Sequence, residues 1–265
     1  MSPATAHMVS WSGEFVGTFM FLFIGYGCNI VGANQASENA VNGFTSSETI
    51  LFIGTGYAVS LAVNVWVAMR ISGSQLNPAV TWGQFLAGNL EPLRGAINVS
   101  AQLLASVCAG LLAEVIYPGS IGKANTTLGT RATTVQGLFM ELFFTAQLML
   151  IVLFVGSEKS KDSIIIPISV GLAVFAGQLA GVGFTGASLN PARSFGCAVA
   201  SQSFPQYHWI YWLGPVLGAS IAAAYYRFTK YFKDQDGPWE PAVPIAINGV
   251  EMDMWHDGRK GVFNL

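Results

Sequence analysis

The chain is written as long apolar runs separated by short polar ones. About 20 apolar residues suffice to cross the hydrocarbon of a bilayer. Six segments reach that length: roughly 11–33, 48–69, 94–117, 135–155, 164–183 and 207–229. Two shorter apolar pieces remain, 77–87 and 190–200. Each makes about 16 Å of helix, half a crossing, so both are predicted as re-entrant half helices. The layout is then a short N-terminal tail over 1–10, a membrane domain over 11–233 and a C-terminal tail over 234–265 that opens with the polar, proline-containing "DQDGPWEPAVP".

The pattern is also written twice. The first span contains "GEFVGTFMFLFIG" and the fourth "MELFFTAQLMLIV", which aligns Glu14-x-x-x-Thr18 with Glu141-x-x-x-Thr145. The half helices open with "SGSQLNPAV" (Ser72 to Val80) and "TGASLNPAR" (Thr185 to Arg193). Repeat one covers about 11–117 and repeat two about 135–229, with three spans in each. An odd number of spans forces like-folded halves into opposite orientations, the inverted repeat of transport folds.

Composition strengthens the membrane reading. Hydrophobic residues make up 52% of the 265 positions and charged residues 10%, against about 25% charged in soluble domains. Arg70, Arg94, Lys159, Lys161, Arg227, Lys230 and Lys233 fall on one side of the predicted layout. That side is predicted to be cytoplasmic, and both termini with it. A net charge of −2 without a basic run gives no reason to expect nucleic acid. Cys28, Cys108 and Cys197 show no metal-ligand spacing and read as core cysteines, and His7, His208 and His256 are dispersed. No metal, cofactor or nucleophile–base pair is indicated, so no enzyme is expected. The first run lacks a basic leader and reads as a span.

Asn-Pro-Ala is locally a helix start. Asn is a favoured N-cap, and Pro suits the first helical position. Asn77-Pro78-Ala79 and Asn190-Pro191-Ala192 are therefore predicted to begin half helices near the bilayer midplane, N-termini facing, each with roughly half a positive charge. The non-helical approaches are tolerable at that depth only beside water or inside protein. Carbonyls of Gly73, Ser74, Gln75 and Leu76, and of Gly186, Ala187, Ser188 and Leu189, form a candidate ladder of acceptors. The amides of Asn77 and Asn190 are candidate central donors. Neutral hydrogen-bonding solutes are expected to pass, and ions and protons to be held back.

With "SGSQLNPAVT", "TGASLNPARSFG", the paired Glu-x-x-x-Thr spans and "YWLGPVLGA" in span six, residues 10 to 230 resemble the aquaporin (major intrinsic protein) family. The resemblance implies an all-α membrane protein: a right-handed bundle of six tilted helices and two half helices, one pore per subunit, assembled as a homotetramer in the lipid bilayer. It places a selectivity filter at Tyr57, Gln178, Ala187 and Arg193, where water-selective members usually carry Phe for Tyr57 and His for Gln178. It gives Glu14 and Glu141 the task of bracing the re-entrant loops. Ser194, Ala198, Tyr211 and Trp212 resemble the water-channel pattern.

The expected function is passive conduction of water across a membrane, the plasma membrane, with hydrogen peroxide as a further permeant. The alternative is a channel for glycerol or other small neutral solutes. An ion-coupled secondary transporter needs a titratable site near the midplane, for which Glu14, Glu114 and Glu141 are the candidates. Two peripheral features remain. Asn125-Thr126-Thr127 is a glycosylation sequon on the predicted outer side, and Ser157, Ser160 and Ser163 lie beside lysines in a loop where phosphate has a charge partner.

Overall fold

A computed structural model describes residues 2–38, 46–156, 165–236, 246–247 and 250–251. These form helices α1 (Pro3–Glu38), α2 (Ser47–Ala68), α3 (Pro78–Leu86), α4 (Pro92–Ile116), α5 (Thr134–Ile151), α6 (Ile165–Thr185), α7 (Pro191–Ala200) and α8 (Ile210–Asp236). A 3-10 turn, Ile121–Ala124, interrupts the α4–α5 connection, and a π-helical turn, Val152–Gly156, ends α5. The fold is the expected all-helical bundle. Residues 1–226 cluster as one compact unit and 227–265 as another. The described part of the second is the end of α8 and a two-residue antiparallel pairing of Ala246–Ile247 with Val250–Glu251. The rest of the predicted C-terminal tail, and Ser157, Ser160 and Ser163 with their lysines, lie outside the described residues.

One boundary and one span differ from expectation. Helix α1 starts at Pro3 rather than near Trp11, so most of the segment assigned to an N-terminal tail belongs to the helix. Its mixed composition hid this. The start is a local cap: the Ser2 hydroxyl accepts from Thr5 N at 3.2 Å and Pro3 takes the first helical position, while farther along fully buried Ser10 donates to Asn98 Oδ1 of α4 at 3.0 Å. Among the described residues, five helices are long and apolar enough to cross a membrane: α1, α2, α4, α5 with its π turn, and α6. The expected sixth, α8, has the length at 27 residues, but Tyr211, Trp212, Gly214, Pro215 and Arg227 dilute its apolar character.

The bundle is apolar outside, and its apolar core encloses a set of buried polar residues. Large apolar side chains such as Val59, Val63, Leu104, Phe143 and Ile221 stand exposed, as a lipid-facing surface requires. Glu14, Thr18, Gln102, Glu141, Thr145 and Ser194 are fully buried. Helix α1 packs on α2 and α4, α4 on α7, and α5 on α6; α2 against α6 joins the two repeats.

Small residues let the half helix α7 approach α4. A Cβ on Gly196 would lie 2.3 Å from the Ser106 carbonyl oxygen. Close backbone approach at small residues is how helices pack without a hydrophobic driving force. Gly196→Val is expected to remove at least about 2 kcal/mol by overpacking, read as loss of monodisperse protein in detergent or a lowered melting temperature.

Candidate functional site: the junction of the two half helices

The two short helices meet at their N-termini. Asn77 caps α3 in an extended conformation, and its Oδ1 accepts from Ala79 N at 2.8 Å. Asn190 caps α7 likewise, accepting from Ala192 N at 2.9 Å and Arg193 N at 3.4 Å. Pro78 and Pro191 take the first helical positions, where an amide hydrogen would find no acceptor. The side-chain nitrogens then cross over. Asn77 Nδ2 donates to the Leu189 carbonyl at 2.8 Å, and Asn190 Nδ2 to the Leu76 carbonyl at 2.9 Å. Each amide has its oxygen on its own helix and one N–H on the opposite repeat. One N–H of each remains.

The approaches are held in an uncommon conformation, nearly the same in both repeats. Gly73, Ser74 and Leu76 have φ of 94°, 49° and 51°; Gly186, Ala187 and Leu189 have 77°, 45° and 53°. Each non-glycine residue there costs about 1 kcal/mol or more. Two buried carboxylates supply the compensation. Glu14 Oε1 accepts from Ser72 Oγ (2.7 Å) and Gln75 N (3.0 Å), and Oε2 from Leu76 N and Gln102 Nε2 (both 2.7 Å). Glu141 Oε1 accepts from Thr185 Oγ1 (2.7 Å) and Ser188 N (2.9 Å), and Oε2 from Leu189 N (2.8 Å).

A narrow cavity of about 90 Å³ runs past this junction. Gly73, Ser74, Gln75, Asn77, Ser188, Leu189 and Asn190 form its polar wall, and Leu148, Val170 and Val174 its apolar one. Tyr57 and Gln178 also line it. Leu76, Gly186 and Ala187, expected in the acceptor ladder, are not on this wall. The Leu76, Ala187 and Leu189 carbonyls each accept one side-chain bond, from Asn190 Nδ2, Gln178 Nε2 and Asn77 Nδ2.

The four filter candidates are brought together. Gln178 Nε2 donates to the Ala187 carbonyl at 2.9 Å. The Arg193 guanidinium carbon lies 5.1 Å from the Tyr57 ring centre, and Nη1 donates to the Ala124 carbonyl at 2.6 Å. Arg193 Nε and Gln178 Oε1 are buried without a protein partner, so this cluster keeps at least one donor and one acceptor unspent.

Several partners were not visible in the sequence. Ser72, Thr185 and Gln102 complete the carboxylate braces. Tyr26 donates from its hydroxyl to the Arg193 carbonyl at 2.7 Å. Thr126 donates to Ser194 Oγ, which bonds Ser188 Oγ. One signal was available: both motif copies open with a hydroxyl residue, Ser72 and Thr185.

Two peripheral readings change. Asn125 is 9% exposed and its Nδ2, the atom that a sugar would occupy, donates to the Ser203 carbonyl at 2.9 Å; the sequon is therefore closed in the folded protein. Cys197 is fully buried and bonded through Sγ to the Ile121 carbonyl, whereas Cys28 and Cys108 are half-buried. His208, just before α8, is also buried.

The family model for major intrinsic protein matches residues 4–226. The chain belongs to this family. Its aquaporin relatives include a probable aquaporin-3 of Gibberella zeae, 50% identical over 87% of this chain and 80% of the relative, and an aquaporin-7 of Botryotinia fuckeliana, 43% identical over 84% of this chain. The chain spans half the length of the latter. In fold it resembles the X-ray structure of the aquaglyceroporin from Plasmodium falciparum, with a TM-score of 0.71 at 22% identity over 86% of this chain and 99% of that one. The major intrinsic proteins are membrane channels, and this aquaporin relative carries the apolar helices suited to that setting.

Proposed function

We propose that the protein is a passive channel for water that holds back protons and ions, with hydrogen peroxide as a second permeant. The crossed Asn77 and Asn190 amides carry this reading. A water beside both receives a hydrogen bond from each remaining N–H, which occupies both of its lone pairs. It then has only donors to offer its neighbours, so a proton cannot be handed through it. The two helix N-termini add roughly half a positive charge each, against any cation at the same point.

Arg193, Tyr57, Gln178 and Ala187 act as the filter, and the wall carbonyls, that of Ser188 among them, replace part of the lost hydration. Glu14 and Glu141 act as braces: each is already filled by donors from its own loop, which suits a structural carboxylate better than a proton relay. Buried Ser194, held between Thr126 and Ser188, keeps the filter closed on that side and favours water over bulkier solutes. The channel works as a homotetramer in the plasma membrane with both termini in the cytoplasm.

Stopped-flow shrinkage of proteoliposomes tests the reading, with water and glycerol measured on the same vesicles. The expected result is water permeability well above that of empty vesicles, little glycerol entry and no proton leak. Glycerol flux comparable to that of water would put the small-solute channel in its place; uptake driven by a proton gradient would put a coupled transporter there.

Mercury gives a second test. The cavity wall includes no cysteine, and the Cys197 thiol is buried. Water flux is expected to persist at mercuric chloride concentrations that modify exposed thiols. Block that disappears in Cys197→Ser would show that this thiol reaches the passage.

A further inference from the structure

We propose that Asn29 is a positioning residue for the constriction, holding the hydroxyl of Tyr57 out of the passage. The inference rests on the reading of Tyr57 and Arg193 as filter residues. Asn29 lies on α1 and is 7% exposed; its Nδ2 donates to the Tyr57 hydroxyl oxygen at 2.8 Å. The Tyr57 ring is 1% exposed, meets Phe21 edge-on at 6.0 Å and carries the Arg193 guanidinium at 5.1 Å. Gly25, one turn before Asn29 on the same face of α1, leaves the ring its room: a Cβ there would lie 2.5 Å from Tyr57 Cε1. Between them Tyr26 reaches the Arg193 carbonyl. One short stretch of α1 therefore addresses both the aromatic and the cationic side of the filter.

The hydroxyl is what makes this hold matter. A tyrosine at the wall of a water path can turn its oxygen into the path, which narrows it and adds a hydrogen-bonding group. Tied to Asn29, the oxygen stays on α1 and the passage meets only an aromatic edge. Without Asn29 the buried hydroxyl loses the bond that holds it on α1, and the groups left to satisfy it lie on the filter side: the unpartnered Arg193 Nε and the water of the passage. The ring is then drawn inward, and the width set by Tyr57 and Arg193 shrinks.

A double-mutant cycle tests this. Water and glycerol permeabilities are measured for the wild type, Asn29→Leu, Tyr57→Phe and the double variant, reconstituted in the same lipid at matched protein content. Asn29→Leu is expected to lower water permeability about threefold or more in the wild-type background, and to have almost no further effect in the Tyr57→Phe background, because the group it releases is absent there. An unchanged water permeability in Asn29→Leu, or the same loss in both backgrounds, overturns the proposal. Asn29→Ala carries the same cycle if the leucine variant is not recovered folded. If neither folds while Tyr57→Phe does, Asn29 serves packing alone and the proposal is overturned. A wild type that conducts neither water nor glycerol sinks the channel reading itself, a result distinct from any outcome of the cycle.

Discussion

Replacing Arg193 by valine is expected to raise glycerol permeation at least about tenfold and to open a measurable cation or proton leak, a loss of roughly 1.4 kcal/mol or more of barrier. Arg193 is fully buried, with one guanidinium nitrogen on the Ala124 carbonyl and its charge 5.1 Å from the ring of Tyr57, which itself lines the cavity. A charge in such low-dielectric surroundings acts on a passing cation far more strongly than it would in water. Valine removes that charge, frees the Ala124 carbonyl to attract cations and enlarges the constriction. Vesicles loaded with a pH-sensitive dye read the leak, and isotonic glycerol swelling reads the width. A variant that stays as proton-tight and glycerol-tight as the wild type would show that selection is made elsewhere, with the Asn77 and Asn190 junction the next place to look.

Glu141→Leu is expected to be the most damaging of the conservative-volume changes to the framework. It strips the acceptor from Thr185 Oγ1, Ser188 N and Leu189 N, all buried. Each orphaned donor costs about 1–3 kcal/mol, and the left-handed conformations at Ala187 and Leu189 lose their compensation. The sum, about 3 kcal/mol or more, is large against typical domain stability. Glu141→Gln should fall between, since its amide oxygen can still serve Thr185 and Ser188 while its nitrogen faces the Leu189 N–H. Thermal melting in detergent, followed by size-exclusion chromatography, reads the order. Equal stability of the wild type and Glu141→Leu would mean that the loop is held by its other contacts.

The half helices were the most legible part of the sequence. Expected over 77–87 and 190–200, they run Pro78–Leu86 and Pro191–Ala200, because N-cap and proline signals act within a few residues of the helix they start. The duplication exposed Glu14 and Glu141 for the same local reason: they recur at matching places in an apolar background. What stayed hidden depends on residues far apart in the chain. Nothing near Tyr26 or Asn29 marks them as partners of Arg193 and Tyr57, and the Ala124 carbonyl has no side-chain signature at all. The start of α1 was missed although Ser2 and Pro3 carry the same cap-and-proline signal, because the polar residues that follow them interrupt the apolar run. The side-chain partners of the Leu76, Ala187 and Leu189 carbonyls could not be seen either, because sequence says which carbonyls exist, and only the fold says which already accept a bond.

The crossed amides also set an order of assembly. Asn77 and the Leu189 carbonyl are separated by 112 residues, and Asn190 and the Leu76 carbonyl by 114. At a ribosomal rate of about 5–20 residues per second, the second half helix follows the first by roughly 6–20 s. During that interval α3 has its cap and its brace from Glu14, but its tip has no counterpart, and the Leu76 carbonyl waits in a membrane that offers few other donors. The junction is thus among the last parts of the protein that synthesis allows to close, and the first repeat must be stable enough to wait for it.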